Sequence, residues 1–162
     1  MTATPSGTGH GRAGPLWPAF VLACRLAAGA TFVYASLDKI AHPAAFAQAV
    51  ANYRLVPGLL LHPFALLLPW AEAVAGVALA LGLLRRGAAL LAGAMTVMFL
   101  AAIATALARG LDISCGCFNT SGGHAVGISL LWRDLALLAA CLAPLRLAGY
   151  DRWALDARRR RR

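Results

Sequence analysis

The sequence predicts an all-α integral membrane protein built as a four-helix bundle. Of the 162 residues, 60% are hydrophobic and only 13% are charged, whereas soluble domains average about 45–50% and about 25%. Four apolar stretches, separated by charged residues, glycine or proline, reach the roughly 20 residues that a membrane-spanning helix needs. Helices are expected because segments this long must satisfy their own backbone hydrogen bonds in lipid, and the alternation typical of a β-barrel is absent from the sequence.

The chain is expected to form a single transmembrane domain with short polar ends. Its four helices are predicted over residues 16–37, 58–84, 87–108 and 126–148. Together they make a domain over residues 15–148, after a disordered polar leader at residues 1–14 and before a basic tail at residues 149–162. Only Arg85 and Arg86 separate the second helix from the third, so these two helices are expected to form a tight hairpin.

The basic residues predict the orientation of the bundle. The chain has 15 Lys and Arg against 6 Asp and Glu, and cytoplasmic segments of multi-pass proteins carry the excess of basic residues. With both termini in the cytoplasm, the inner side holds Arg12, Arg85, Arg86, Arg146, Arg152 and Arg158 through Arg162. The outer loops, around residues 38–57 and 109–125, hold only Lys39, Arg54 and Arg109. This charge pattern indicates membrane topology and not nucleic acid binding. We expect the bundle to lie in the lipid bilayer of a bacterial inner membrane.

Ionisable residues inside the predicted helices are candidate binding residues. Each costs at least about 2.5–3.5 kcal/mol near the bilayer centre, so it should face a partner inside the bundle. Arg25 shares a helix face with Gly29, and Glu72 shares one with Gly76. With a rise of about 1.5 Å per residue, Arg25 and Glu72 are expected at the same depth and are predicted to pair. Such a pair either fixes the register of the helices or lines a polar pocket for a quinone head group or a proton.

Further charged residues lie nearer the outer ends of the predicted helices. Arg133 and Asp134 are about 10–12 Å below the outer end of the fourth helix and point about 100° apart. One of them is therefore expected to extend toward the outer surface while the other faces the bundle. Asp38 and Lys39 are expected to stay hydrated at the outer interface. If electrons leave the protein, a membrane quinone near Lys39, Glu72 or Arg133 is the natural acceptor.

Cys115 and Cys117, separated by Gly116 in the second outer loop, are the candidate catalytic residues. Glycine lets the backbone bend, and a disulfide across so short a loop is expected to be strained and prone to exchange. The compartment outside a bacterial inner membrane is oxidising. Three interpretations stay open, namely a redox-active dithiol, a static disulfide, and a soft-metal site with His124 as third ligand. Because a fourth ligand is not evident, no metal site is predicted.

Two further cysteines, Cys24 and Cys141, fall within the first and fourth predicted helices. Single cysteines in such positions usually serve as small hydrophobic residues, and we expect this role for both.

Several short motifs occur in a recognisable order along the chain. The first helix runs into Ser36-Leu37-Asp38-Lys39-Ile40, the second carries Leu68-Pro69-Trp70-Ala71-Glu72, and the outer loop carries Cys115-Gly116-Cys117-Phe118. Over residues 20–140 this order resembles the methylamine-utilisation MauE family, a branch of the DoxX-like four-helix membrane proteins. The Cys-Gly-Cys-Phe motif points to the MauE branch. It commonly continues with glycine, where this chain has Asn119, a residue that tolerates left-handed backbone angles.

The resemblance implies an accessory role in methylamine metabolism. MauE-like proteins are needed for making the small subunit of methylamine dehydrogenase, which carries several disulfides. The resemblance also implies a thioredoxin-like periplasmic partner, with which Cys115 and Cys117 exchange electrons during disulfide formation or subunit transport. Two alternatives stay open. One is a DoxX-type membrane quinone oxidoreductase, and the other is a non-catalytic membrane scaffold whose thiols form a structural disulfide.

Overall fold

The computed structural model describes residues 16–111 and 128–147 of the chain. These residues form five α-helices: α1 (Leu16–Ala41), α2 (Pro43–Tyr53), α3 (Gly58–Leu81), α4 (Arg85–Ala108) and α5 (Ile128–Arg146). All except α2 are long and apolar enough to cross a membrane, which confirms the all-α class and the four long apolar helices. The polar leader, the loop with Cys115 and Cys117, and the basic tail lie outside the described residues.

Helices α1 and α3 come close together where Gly29 faces Gly76. A Cβ atom added to Gly29 would lie 2.7 Å from the carbonyl oxygen of Gly76, and one added to Gly76 would lie 2.8 Å from that of Gly29. Only glycine fits at both positions, and small residues of this kind let membrane helices pack backbone against backbone. The α1–α3 pair is completed by α5, which packs against α1, and by α4, which packs against α3 and α5.

The apolar interior is made mainly of small side chains. Its largest cluster of buried residues consists of Ala28, Phe32, Leu79, Ala88, Ala89, Ala92, Met95 and Cys141. Cys141 is completely buried in this cluster and therefore packs as a small hydrophobic residue, whereas Cys24 on α1 is only partly buried.

Several helix ends differ from those predicted by hydropathy. Helix α1 continues past residue 37 and ends at Ala41. It ends there because the ring of Pro43 disfavours a helical conformation in the residue that precedes it. Helix α3 ends earlier than predicted because Gly82 takes a left-handed conformation with φ 69° and caps it. Leu84 is also left-handed, with φ 44°, and α4 begins directly after it.

Helix α2 replaces part of the outer loop predicted over residues 38–57. Its 11 residues are too few to cross a bilayer. Pro43 opens the helix, where its missing N–H costs nothing, and Arg54 ends it in a left-handed conformation with φ 53°. Phe46 and Ala49 are buried where α2 packs against α3 and α1. We call the end of the bundle that carries this helix, where α1 and α4 end and α3 and α5 begin, the α2 end.

Candidate functional site

A buried ion pair joins α1 to α3 near the α2 end. The Lys39 ammonium donates hydrogen bonds to both carboxylate oxygens of Glu72, with Nζ–Oε distances of 2.7 and 2.8 Å. The two side chains are 2% and 1% exposed. Burying either charge alone would be strongly unfavourable. The two hydrogen bonds offset that cost because they satisfy both carboxylate oxygens of Glu72.

This pairing corrects two predictions, the Arg25–Glu72 pair and the hydrated position of Lys39. From the level at which Gly29 meets Gly76, Arg25 lies about 6 Å toward one end of the bundle and Glu72 about 6 Å toward the other. Side chains on a helix lean toward its N-terminus, and α1 and α3 run in opposite directions. The Arg25 side chain therefore points away from Glu72. The Lys39 backbone lies about 15 Å beyond Gly29, and its side chain points back toward Glu72. Arg25 is buried at a different level of the bundle.

Two aromatic rings complete the surroundings of the Lys39 ammonium. The ring centroid of Phe46, on α2, lies 5.3 Å from Nζ, and that of Phe99, on α4, lies 5.0 Å from it. Both distances are within the range at which a ring face attracts a cation. A single ammonium thus links α1, α2, α3 and α4.

A second ion pair, between neighbouring residues of α5, borders the same site. Arg133 donates to Oδ1 of Asp134 from Nε at 2.9 Å and from Nη2 at 2.8 Å. The Asp134 side chain is 5% exposed and faces the bundle, while that of Arg133 is 37% exposed and lies at its edge. The two residues therefore face different surroundings and also pair with each other.

A small cavity lies between the two ion pairs. Thr31 and Thr96 line it together with both ion pairs, and its volume is about 30 Å³. That volume accommodates one or two waters but not a quinone ring. The arrangement can hold water among charged groups inside the bundle. A quinone near Lys39, Glu72 or Arg133 stays a prediction, and it would have to bind outside this cavity.

A much larger cavity lies on the other side of Phe46 and Phe99. Its volume is about 360 Å³. Its lining consists of Phe46, Ala49, Val50, Tyr53, Leu55, Val56, Phe64, Met98, Phe99, Ala101, Ala102 and Thr105. We call it the apolar cavity, because Tyr53 and Thr105 supply the only hydroxyl groups in this lining.

Tyr53 lines the apolar cavity and lies within electrostatic range of the charged residues of α5. Burial raises the pKa of the Tyr53 phenol to about 12, the negative charge of Asp134 adds to this rise, and Arg133 opposes it. The phenol therefore stays protonated at neutral pH. The backbone carbonyl of Tyr53 accepts a hydrogen bond of 3.0 Å from Nη1 of Arg109, so the end of α2 is held against the end of α4.

Comparison with known proteins decides the family. Residues 17–147 match the family model described as methylamine utilisation protein MauE. The chain belongs to the MauE family. Its relatives include the methylamine utilization protein MauE of Paracoccus denitrificans, which is 37% identical over 127 residues, covering 78% of this chain and 68% of that protein.

Two other MauE proteins show similar identity. That of Methylophilus methylotrophus is 38% identical over 121 residues, covering 71% of this chain and 64% of the relative. That of Methylorubrum extorquens is 38% identical over 107 residues, covering 65% of this chain and 58% of the relative. The chain therefore spans about two thirds or less of the length of these relatives. No solved structure matches the chain.

In this MauE family member, the structure brings together four of the five intramembrane residues predicted as a site. Lys39, Glu72, Arg133 and Asp134 surround one small cavity, whereas Arg25 lies apart from it. Cys115 and Cys117 fall outside the described residues. Within residues 16–111 and 128–147, no group of three or more His, Cys, Asp or Glu side chains could hold a metal ion.

Sequence reasoning missed the aromatic part of the site. Phe46 and Tyr53 are seven residues apart, with Ala49 and Val50 between them, which is the spacing of one helix face. This pattern could have revealed both α2 and its inner surface. Phe99, in contrast, is one apolar residue among many on α4, and its sequence context carries no comparable signal.

Proposed function

We propose that this MauE family member is a membrane accessory protein of methylamine utilisation that helps to mature the small subunit of methylamine dehydrogenase. The observation that carries the proposal is the match of residues 17–147 to the MauE family model. Three relatives that bear the name methylamine utilization protein, at 37% to 38% identity, support it.

The proposed chemistry is thiol–disulfide exchange at Cys115 and Cys117. A thioredoxin-like periplasmic partner supplies a disulfide, which takes two electrons and two protons from the Cys115 and Cys117 thiols and becomes a dithiol. The resulting Cys115–Cys117 disulfide then takes two electrons and two protons from a pair of client thiols, which become the client's disulfide. Each step passes through a mixed disulfide formed by attack of a thiolate on sulfur.

The described residues support this proposal through contacts that hold several helices together at the end of the bundle from which the cysteine loop extends. The loop follows Leu111 and precedes α5, and both helices that it joins have these ends at the α2 end of the bundle. There, the Lys39–Glu72 pair links α1 to α3, and Arg109 links the end of α4 to α2. A loop anchored on such a base can present two neighbouring thiols outside the membrane.

Serine substitutions test the proposal in a strain that depends on this protein for growth on methylamine. Cys115→Ser and Cys117→Ser should each abolish that growth and the accumulation of mature small subunit. Cys24→Ser, which changes a partly buried thiol on α1, is the matched control and should grow normally. Normal growth of a Cys115→Ser/Cys117→Ser double variant would instead favour a non-catalytic scaffold.

A trapping experiment tests the partner and the side of the membrane. Cys117→Ser should leave Cys115 joined to a thioredoxin-like protein or to the client in a mixed disulfide that is visible on a non-reducing gel. In cells with a permeabilised outer membrane, a thiol reagent that cannot cross the inner membrane should label Cys115 and Cys117 after reduction. Labelling that requires lysis of the inner membrane would contradict the proposed orientation, with both termini in the cytoplasm.

A further inference from the structure

We propose that the apolar cavity is a lipid site, which binds one acyl chain of an anionic phospholipid with its phosphate against Arg54 and Arg109. The proposal does not depend on the maturation function. It assigns a ligand to a space enclosed by the short helix α2 and the two membrane-spanning helices α3 and α4.

The chemistry of the lining calls for hydrocarbon. The cavity volume of about 360 Å³ lies within the roughly 300–1,000 Å³ typical of ligand sites. A buried water needs two to four polar partners, whereas the side chains of this lining offer only the hydroxyl groups of Tyr53 and Thr105. The Thr105 hydroxyl already donates to the carbonyl of Ala102 at 2.9 Å. Leaving the space empty would deprive the lining of its dispersion contacts. An apolar chain restores these contacts without requiring a hydrogen-bonding partner.

The cavity is also accessible from the surface that lipid covers. Met98 on α4 and Leu55 after α2 both line the cavity, and both belong to the exposed hydrophobic residues. An acyl chain can therefore enter the cavity between α2 and α4 directly from the bilayer. The far end of the acyl chain would contact the rings of Phe46 and Phe99, which separate the cavity from the Lys39 ammonium.

Two arginines beside the opening select the head group. Arg54 stands between the lining residues Tyr53 and Leu55, and Arg109 is held by the Tyr53 carbonyl through Nη1. Both are exposed, and within residues 16–111 and 128–147 neither is paired with a carboxylate. A guanidinium has five N–H donors and binds phosphate through paired hydrogen bonds. The charges at this rim therefore complement an anionic lipid.

The same features disfavour a quinone as the occupant. A quinone ring needs hydrogen-bond donors at its carbonyl groups. Of the two hydroxyl groups in the lining, that of Thr105 is already engaged by the backbone, which leaves at most the Tyr53 phenol. Lys39 could donate, but Phe46 and Phe99 stand between its ammonium and the apolar cavity, and Glu72 takes its hydrogen bonds. An acyl chain makes no such demand.

Lipid retention by the purified full-length chain tests the proposal. The protein is extracted from bilayers containing equal amounts of phosphatidylglycerol and phosphatidylcholine, and the lipids that remain bound are counted by native mass spectrometry. We expect one tightly retained lipid, mainly phosphatidylglycerol. Ala102→Trp, which fills the cavity, should remove it. Ala104→Trp, on the exposed face of the same helix, is the matched control and should retain it.

A second variant separates the charge from the cavity. Arg54→Gln should reduce the preference for phosphatidylglycerol by about fivefold, the effect of one basic residue near an anionic surface, while a lipid is still retained. Arg54 is the better choice because Arg109 also holds the end of α2. Equal retention of both lipids by the unaltered protein, retention that survives Ala102→Trp, or a co-purified quinone in place of the lipid would each overturn the proposal.

Discussion

Replacing Glu72 with glutamine removes the counter-ion of a lysine that is almost completely buried. The Lys39 side chain is 2% exposed, and both of its hydrogen bonds to other side chains go to the two carboxylate oxygens of Glu72. The glutamine amide would offer one oxygen and no charge, and the rings of Phe46 and Phe99 contribute only about 1–2 kcal/mol of attraction. Because breaking a buried pair from one side costs about 3–5 kcal/mol, we expect Glu72→Gln to lower the free energy of unfolding by that amount.

The measurement is the free energy of unfolding of the purified protein in mixed micelles titrated with a denaturing detergent. Asp38→Asn is the matched control, because Asp38 neighbours Lys39 and its carboxylate is 27% exposed, 3.4 Å from His42. Because the His42 side chain is 62% exposed, losing the Asp38 charge should cost less stability than losing the Glu72 charge. The double variant Lys39→Met/Glu72→Leu removes both charges and should be close to the unaltered protein in stability, or more stable.

The outcome that refutes this reasoning is a Glu72→Gln protein as stable as the Asp38→Asn protein. A double-mutant cycle adds a sharper criterion. Lys39 and Glu72 should show a large coupling energy, whereas Arg25 and Glu72, about 12 Å apart along the helix axes, should show almost none. A large coupling energy between Arg25 and Glu72 would instead support the Arg25–Glu72 ion pair that helix depth alone predicts.

Three further predictions concern the glycine contact between α1 and α3, the end of α2 and the Tyr53 phenol. Gly76→Ala should destabilise the protein by about 1–3 kcal/mol through overpacking against Gly29, because its Cβ would lie 2.8 Å from the Gly29 carbonyl oxygen. Gly87→Ala, where the new Cβ meets open space, should be neutral or stabilising in the same detergent titration. Arg109→Gln removes the 3.0 Å bond to the Tyr53 carbonyl and should speed amide hydrogen exchange in α2 but not in α1. The raised pKa of Tyr53, about 12, means that the unfolded chain loses this proton first above about pH 10. Stability should therefore fall as the pH rises from about 10 toward 12, and Tyr53→Phe should lessen the fall.

Hydropathy was sufficient to predict the four long helices. Each contains a stretch apolar enough to cross a membrane. In lipid, such a segment without β-barrel alternation has no alternative to the helix. The faces that the sequence analysis identified are also buried, since Gly29 and Arg25 on α1 and Gly76 and Glu72 on α3 all point inward. Helical periodicity and the cost of exposing a charge to lipid thus predict which residues face the bundle.

The partners of those inward residues could not be predicted in the same way. Pairing depends on how far α1 slides along α3, and that offset is set by the contact of Gly29 with Gly76, which two separate hydropathy profiles do not contain. The predicted end of α1 at residue 37 also placed Lys39 in the loop, although the helix continues to Ala41. An error of one turn at a helix end shifts a side chain by about 5.4 Å, enough to exchange one ion-pair partner for another.

The two kinds of contact between α1 and α3 explain how a bundle rich in alanine keeps one register. Lipid is as apolar as the helices, so burial alone does not favour one alignment over another. The glycine crossing requires Gly29 to face Gly76, and the ion pair requires Lys39 to reach Glu72 closer to the α2 end. If α1 slipped by one helical turn along α3, a side chain would clash with the backbone at the glycine crossing. The same slip would separate the two buried charges of the Lys39–Glu72 pair. Because the two contacts lie at different heights and fail for different reasons, an alternative alignment cannot satisfy both, and the helix ends at the α2 end stay aligned.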